Sequence, residues 1–199
     1  MKIFAVAGNY LDDKCRPQEP IIYTKADSAL LKGGRPFFLP EELGRIDFSV
    51  SLVVRLCRLG KSIPERFAHR YYDAVTCGVD FTAVGLLEKY RCLGLPWELC
   101  KGFDGAAVIG EWVSLGDIPN TINDISLQID VNGAMAQKAH TSQMVYTVDK
   151  LVAYISRYFT IRTGDLLFTG SPLTSTQTFI NDHLDGYIQD CNVLGFNVK

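Results

Sequence analysis

The chain has 199 residues, 47% of them apolar and 21% charged, which is ordinary globular composition and enough length for one domain with a real core. A net charge of -2 without any run of Lys or Arg argues against a nucleic-acid partner. No apolar stretch approaches the roughly 20 residues of a membrane-spanning helix, so no membrane partner is expected.

From the beginning of the chain, Ile3–Ala7 reads as a first strand. The opening segment lacks the long apolar region and small-residue cleavage site of a signal peptide. Asn9 and Tyr10 follow that strand as weak candidates for a binding loop. The stretch from Arg16 to Pro40 is rich in turn formers and reads as loop, with short strands at Pro20–Thr24 and Phe37–Leu39. Phe48–Leu56 is a longer strand. Ser62-Ile63-Pro64-Glu65 has the form of a capping box with Pro in the first turn and predicts a helix to about Tyr72.

Ala74–Phe81 predicts another strand, with Asp80 near its end between apolar neighbours. A carboxylate there could bind a metal, orient a base or cap the following helix. That helix is expected to begin at Thr82 and stop at Gly94. Lys101 follows a Pro-Trp turn in Cys100-Lys101-Gly102-Phe103-Asp104-Gly105. Two glycines let backbone approach a ligand closely, and Lys101 could hold a carboxylate or enolate. The plain alternative is a surface lysine paired with Asp104.

Strands are expected at Ala106–Trp112 and Ile125–Val131, the latter turning at Asn132-Gly133, the strongest hairpin signal in the chain. Thr147 precedes a helix with Leu151, Val152, Ile155, Tyr158 and Phe159 on one stripe, which reads as core. Asp165–Phe168 predicts a strand ending in Thr169-Gly170, a candidate anion cradle through hydroxyl and backbone N–H groups and equally ordinary turn chemistry. Gly170 to Asp185 reads as loop, with final strands at Gly186–Cys191 and Val193–Val198. His69, His140 and His183 read as structural or exposed. Cys15, Cys57, Cys77, Cys92, Cys100 and Cys191 form no CxxC pair and fit buried thiols in a reducing cytosol, so the expected location is cytoplasmic. The fold expectation is one α+β domain over residues 1–199.

The segments AGNY, PIIYTKADSAL, LVVRLCRLGKSI, GVDFTA, GLPWELCKGFDG, IDVNG, TSQM and GDLLFTGSP, in this order, closely resemble the fumarylacetoacetate hydrolase family. The likeness is to its short single-domain members: acylpyruvases, fumarylpyruvate hydrolases, oxaloacetate decarboxylases and hydroxyheptadienedioate isomerases. It implies a β-rich mixed β-roll, usually a homodimer, with magnesium or manganese held by three carboxylates. Asp80 matches the third of these ligands and Lys101 the substrate-binding lysine. Thr169 and Gly170 match the cradle of the substrate carboxylate.

The first two carboxylates fall on Ser49 and Ser51. Other family positions carry Val84, Leu87 and Asp13. Asp47 shares a strand face with the two serines and is a possible replacement ligand, or else a solvated residue at the start of the strand. Two hydroxyls do not replace two negative charges, so no cofactor is expected, with magnesium or manganese as the alternative. Three functions follow. The first is a degenerate relative that binds a small carboxylate, alone or beside an active paralogue. The second is an active hydrolase, decarboxylase or isomerase of 2-oxo acids with an altered metal site. The third is a metal-free hydrolase using Ser49 or Ser51 with Lys101.

Overall fold

Two antiparallel strands carry the architecture. The computed structural model describes residues 1–10, 18–32, 34–172 and 175–199. Within it the early strands are β1 (Ile3–Ala7), β2 (Ile21–Lys25), β3 (Leu30–Lys32), β4 (Ile46–Leu56) and β5 (Tyr72–Ala83). Helix α1 (Val84–Leu93) and the single turn α2 (Glu98–Lys101) follow, then β6 (Ala107–Ile109) and β7 (Val113–Ser114). The second half has β8 (Ser126–Val131), β9 (Ala134–His140), α3 (Val148–Tyr158), β10 (Leu166–Phe168), β11 (Thr176–Gln177), β12 (His183–Ile188) and β13 (Cys191–Asn197). β4 and β5 pair along their whole length and are buried on both faces. They therefore read as nearly unbroken runs of Val, Leu and Phe rather than as an alternation.

The larger sheet runs β2-β1-β10-β4-β5-β6-β3, with β7 beside β5 and β11 beside β4. It mixes parallel pairs (β1 with β10, β3 with β6) with antiparallel ones. One face packs through Phe4, Phe48, Leu52, Val54, Val79 and Phe81 into the main core. The other curls around a smaller apolar cluster of Ile3, Ala5, Val53, Ala107, Ile109, Leu166 and Phe168. The second sheet, ordered β13-β12-β8-β9, closes the main core. Phe37 stacks on Phe81 at 4.0 Å between ring centres, and Phe81 meets Phe196 edge-on at 6.2 Å, which ties the two sheets together. The expected α+β, sheet-dominated roll is what is found.

The hairpin at Asn132-Gly133 forms between β8 and β9, with φ of 52° and 79° as a primed two-residue turn requires. Thr147 caps α3 by accepting from the Lys150 N–H at 3.3 Å, and Gly94 ends α1 in the left-handed conformation. The helix expected from Ser62 to Tyr72 does not form. Ser62 has a φ of 51°, and the N–H groups of Ser62 and Ile63 bond the Ser156 carbonyl and hydroxyl of α3. With those donors tied to α3, only a 3-10 helix over Glu65–Arg70 follows, and Tyr72 is claimed by β5.

Thr82 does not cap α1 either. It lies inside β5 opposite Asp47, and the helix starts after Ala83 with no side-chain cap. The expected strand Phe37–Leu39 is reduced to one bridge between Phe37 and Val198. The strand expected over Ala106–Trp112 breaks at Gly110 into β6 and β7. A Cβ at Gly110 would lie 2.3 Å from the Val193 carbonyl oxygen, so the backbones cross there too closely for a continuing side chain. The last strands shift as well, because Gln189 takes a φ of 53° and turns β12 into β13 at Cys191. Among the described residues no helix is long and apolar enough to cross a membrane.

Candidate functional site

Register decides which side chains meet. Ser49 on β4 and Ala107 on β6 are the neighbours of Asp80 on β5, and Ser51 lies opposite Gly78. Cross-strand partners share a face, so Asp47, Ser49, Ser51 and Asp80 all point into the curl. Tyr23 and Lys25 reach the same space from β2 at the sheet's far edge. They pair with Ala5 and Ile3 of β1, which belong to the apolar cluster lining the curl.

Asp80 is the centre of the cluster. Lys25 Nζ donates to its Oδ1 at 2.6 Å and to the Ala106 carbonyl at 3.0 Å. Tyr23 Oη donates to Oδ2 at 2.6 Å, and Lys101 Nζ donates to the same oxygen at 3.1 Å. The Lys25 side chain is fully buried, whereas Lys101 keeps 15% of its side-chain surface and Asp80 11%. Burial alone would raise the Asp80 pKa, but the ammoniums of Lys101 and Lys25 and the hydrogen bonds from Lys25 and Tyr23 overcome it and hold the carboxyl at about 2. Burial, against the pull of Asp80, brings Lys25 down to about 8. Burial and the neighbouring carboxylate push the Tyr23 phenol well above its usual value. With both amines protonated, one carboxylate and two ammoniums sum to +1.

The donor set does not fit a divalent cation. Both Asp80 oxygens already accept from cationic or phenolic donors. Ser51 is buried and its hydroxyl donates to the Leu52 carbonyl at 3.2 Å. Asp47, the possible replacement ligand, is committed elsewhere. Arg45 grips both its oxygens at 2.7 and 2.9 Å, and Ser175 donates to it at 2.7 Å. It is neither a spare ligand nor a solvated residue, being 2% exposed. Each ammonium repels a dication where the carboxylate attracts it, so two ammoniums beside one carboxylate leave the cluster without the excess of negative charge that a divalent cation needs. Among the described residues no group of three or more His, Cys, Asp and Glu is placed to hold a metal.

The other sequence candidates separate into two groups. Lys101 joins Asp80, not Asp104 as the surface alternative had it. Asn9, Thr169 and Gly170 instead join one another in the scaffold, and Tyr10 is buried next to Asn9 in the chain. Asn9 Nδ2 donates to the carbonyls of Tyr146 and Thr169 at 3.2 and 2.8 Å, and its Oδ1 accepts from the Tyr146 N–H at 2.8 Å. Thr169 turns both its N–H and its hydroxyl to the Leu52 carbonyl, at 3.0 and 3.1 Å, so neither faces a ligand. Gly170 has a φ of 94°, and a Cβ there would sit 2.9 Å from the Val6 carbonyl oxygen. Tyr10 is buried and bridges to Met144.

Leu87 is buried and Val84 half-buried, both on α1. Asp13 lies outside the described residues, as does Cys15. The remaining five cysteines are free thiols, with Cys92 and Cys191 exposed rather than buried. Sequence reasoning missed Lys25 and Tyr23. Their alternation in Ile21–Lys25 placed them on one face, but nothing local showed that this face was the inner one.

Residues 3–194 match the family model described as fumarylacetoacetate (FAA) hydrolase C-terminal. An uncharacterised protein of Pyrococcus horikoshii is 33% identical over 202 residues, covering 99% of this chain and 87% of the relative. The mitochondrial oxaloacetate tautomerase of Mus musculus is 30% identical over 202 residues, covering 99% and 91%. Among solved structures, the fumarylpyruvate hydrolase of Pseudomonas aeruginosa, in complex with Mn2+ and pyruvate, superposes with a TM-score of 0.91. It is 25% identical and covers 100% of this chain and 89% of that one. The 2-hydroxyhepta-2,4-diene-1,7-dioate isomerase of Mycobacterium marinum gives 0.86 at 27% identity, covering 99% and 73%.

Proposed function

The chain belongs to the fumarylacetoacetate hydrolase family, and from that premise we propose that it is a member without the metal-dependent reaction, which binds a small carboxylate at Lys101 beside Asp80. One observation carries this reading. The Asp80 carboxylate is held by Lys25, Lys101 and Tyr23, and the positions facing it across the strands are a serine and an alanine. A site of this charge attracts anions and repels cations. Lys101 is the accessible cation. Ser49, half-buried opposite Asp80, offers a neutral hydroxyl to the same anion. Lys25 neutralises Asp80 from behind, which leaves Lys101 free to exchange one carboxylate partner for another. Mechanistically the residues present bind and orient a carboxylate, and the positive charge of the cluster speaks against a dication that would stabilise an enolate there.

The second reading is an active enzyme on a 2-oxo acid. The whole-length likeness to an oxaloacetate tautomerase and to a hydrolase solved with Mn2+ and pyruvate favours it. Calorimetric titration separates the two. The carboxylate-binding reading expects pyruvate to bind the protein as it stands, a loss of at least about tenfold in Lys101→Ala, and no stoichiometric heat from Mn2+. It also expects Ser49→Glu with Ser51→Glu to gain Mn2+ binding, because two carboxylates then join Asp80. Stoichiometric Mn2+ binding by the unmodified protein that disappears in Asp80→Ala, together with turnover of acylpyruvates, fumarylpyruvate or oxaloacetate, would establish the enzyme instead.

A further inference from the structure

We propose that the ligand of this site is a monocarboxylate with an aromatic or branched apolar tail, and that the tail lies in the groove between β2 and the Leu95–Glu98 segment. The inference rests on the carboxylate-binding reading above and specifies its substrate class. The groove has a volume of about 300 Å³, at the small end of ligand pockets, and its lining includes Ile21, Tyr23, Leu95, Pro96, Trp97 and Glu98. Ile21 and Leu95 are each 41% exposed, so apolar surface is left uncovered there.

Tyr23 is the wall shared by groove and ion cluster. Its hydroxyl bonds Asp80, and Lys101 Nζ lies 5.4 Å from its ring centre. The same ring meets the Trp97 indole edge at 6.2 Å between centres. Arg91 stands 5.1 Å over that indole. A carboxylate on Lys101 therefore places whatever it carries along Tyr23 toward Trp97. The end of such a tail meets leucine, proline and indole, and the lining carboxylate of Glu98 offsets the Arg91 guanidinium over the indole, so a second acidic group finds no net positive charge there. Dicarboxylates such as oxaloacetate gain nothing from the groove. An aromatic tail gains the burial of its ring and contact with two aromatic edges.

The chain has two tryptophans, Trp97 and Trp112, so Trp112→Phe leaves Trp97 as sole fluorescence reporter. Titration of that protein with pyruvate, oxaloacetate, 4-methyl-2-oxopentanoate and phenylpyruvate tests the inference. Phenylpyruvate is expected to bind at least about tenfold more tightly than pyruvate, with 4-methyl-2-oxopentanoate between them and oxaloacetate no tighter than pyruvate. Ile21→Glu, at an exposed position two residues before Tyr23 on β2, is expected to remove the tail's advantage by lowering phenylpyruvate affinity more than pyruvate affinity. Lys101→Ala weakens all four. Equal affinity for pyruvate and phenylpyruvate overturns the groove assignment and leaves the carboxylate site standing. An advantage of phenylpyruvate that survives Ile21→Glu also overturns it. Absence of binding by all four overturns both readings together.

Discussion

Lys25 carries an ammonium inside the protein. Burial pushes its pKa from 10.5 down to about 8, and Asp80 beside it limits the fall. The group is therefore less readily charged in the folded state than in the unfolded one, and between pH about 8 and 10.5 the unfolded chain binds more protons. Stability at this residue rises with pH across that window and carries its full cost below it. The expectation is that the stabilities of the native protein and of Lys25→Met, from urea unfolding between pH 7 and 10.5, diverge by on the order of 3 kcal/mol across the window. Asp80 behaves oppositely. Its carboxyl is held at about 2 against an ordinary 3.8, so its contribution is complete above 3.8 and is lost as pH falls through about 2. Asp80→Asn strands two ammoniums and is expected to cost about 3 kcal/mol at pH 7, more than Lys25→Met, which leaves the carboxylate with Lys101 and Tyr23. Denaturant unfolding of the two variants side by side checks the order.

At the scale of single elements, local signals succeeded where the partner was also local. Thr147 and its helix form as their spacing predicts, because the hydroxyl and the N–H it caps are in one turn. Thr147→Ala is expected to cost about 1 kcal/mol in thermal or urea unfolding. The segment at Ser62 has an equally good local signal and fails, because its N–H groups find Ser156 at a distance in sequence. The turn after β10 shows the same dependence. Gly170 was legible as a glycine in a turn, but its need for a φ of 94° and for an empty Cβ position beside Val6 comes from the neighbouring end of β1. Gly170→Ala is expected to lower the melting temperature by several degrees, since a Cβ there meets backbone that cannot yield. A melting curve indistinguishable from the native one would show that the β1 and β10 ends are held together less tightly than the distances imply.

For the molecule as a whole, the larger sheet has to bury two faces at once. Its outer face shares a core with the second sheet through Phe37, Phe81 and Phe196. Phe81→Ala is expected to cost about 3–5 kcal/mol while unfolding remains a single transition by circular dichroism and fluorescence, because the ring belongs to the one core both sheets share. The inner face curls, and the curl brings Lys25 of β2 to Asp80 of β5, 55 residues away in the chain and on strands separated by β1, β10 and β4. Sequence by itself determined the strands of β1, β4 and β5, the Asn132-Gly133 hairpin, the α3 stripe, the choice of Asp80 and Lys101 as candidates, and the hydroxyls at positions 49 and 51. Those are properties of side-chain type and short-range periodicity. Tertiary structure alone decided that Lys25 and Tyr23 complete the cluster, that Arg45 takes Asp47, and that the hydroxyl of Thr169 is spent on Leu52. Strand order and curvature set those pairings, and both arise from contacts between segments whose separation along the chain leaves no periodic trace.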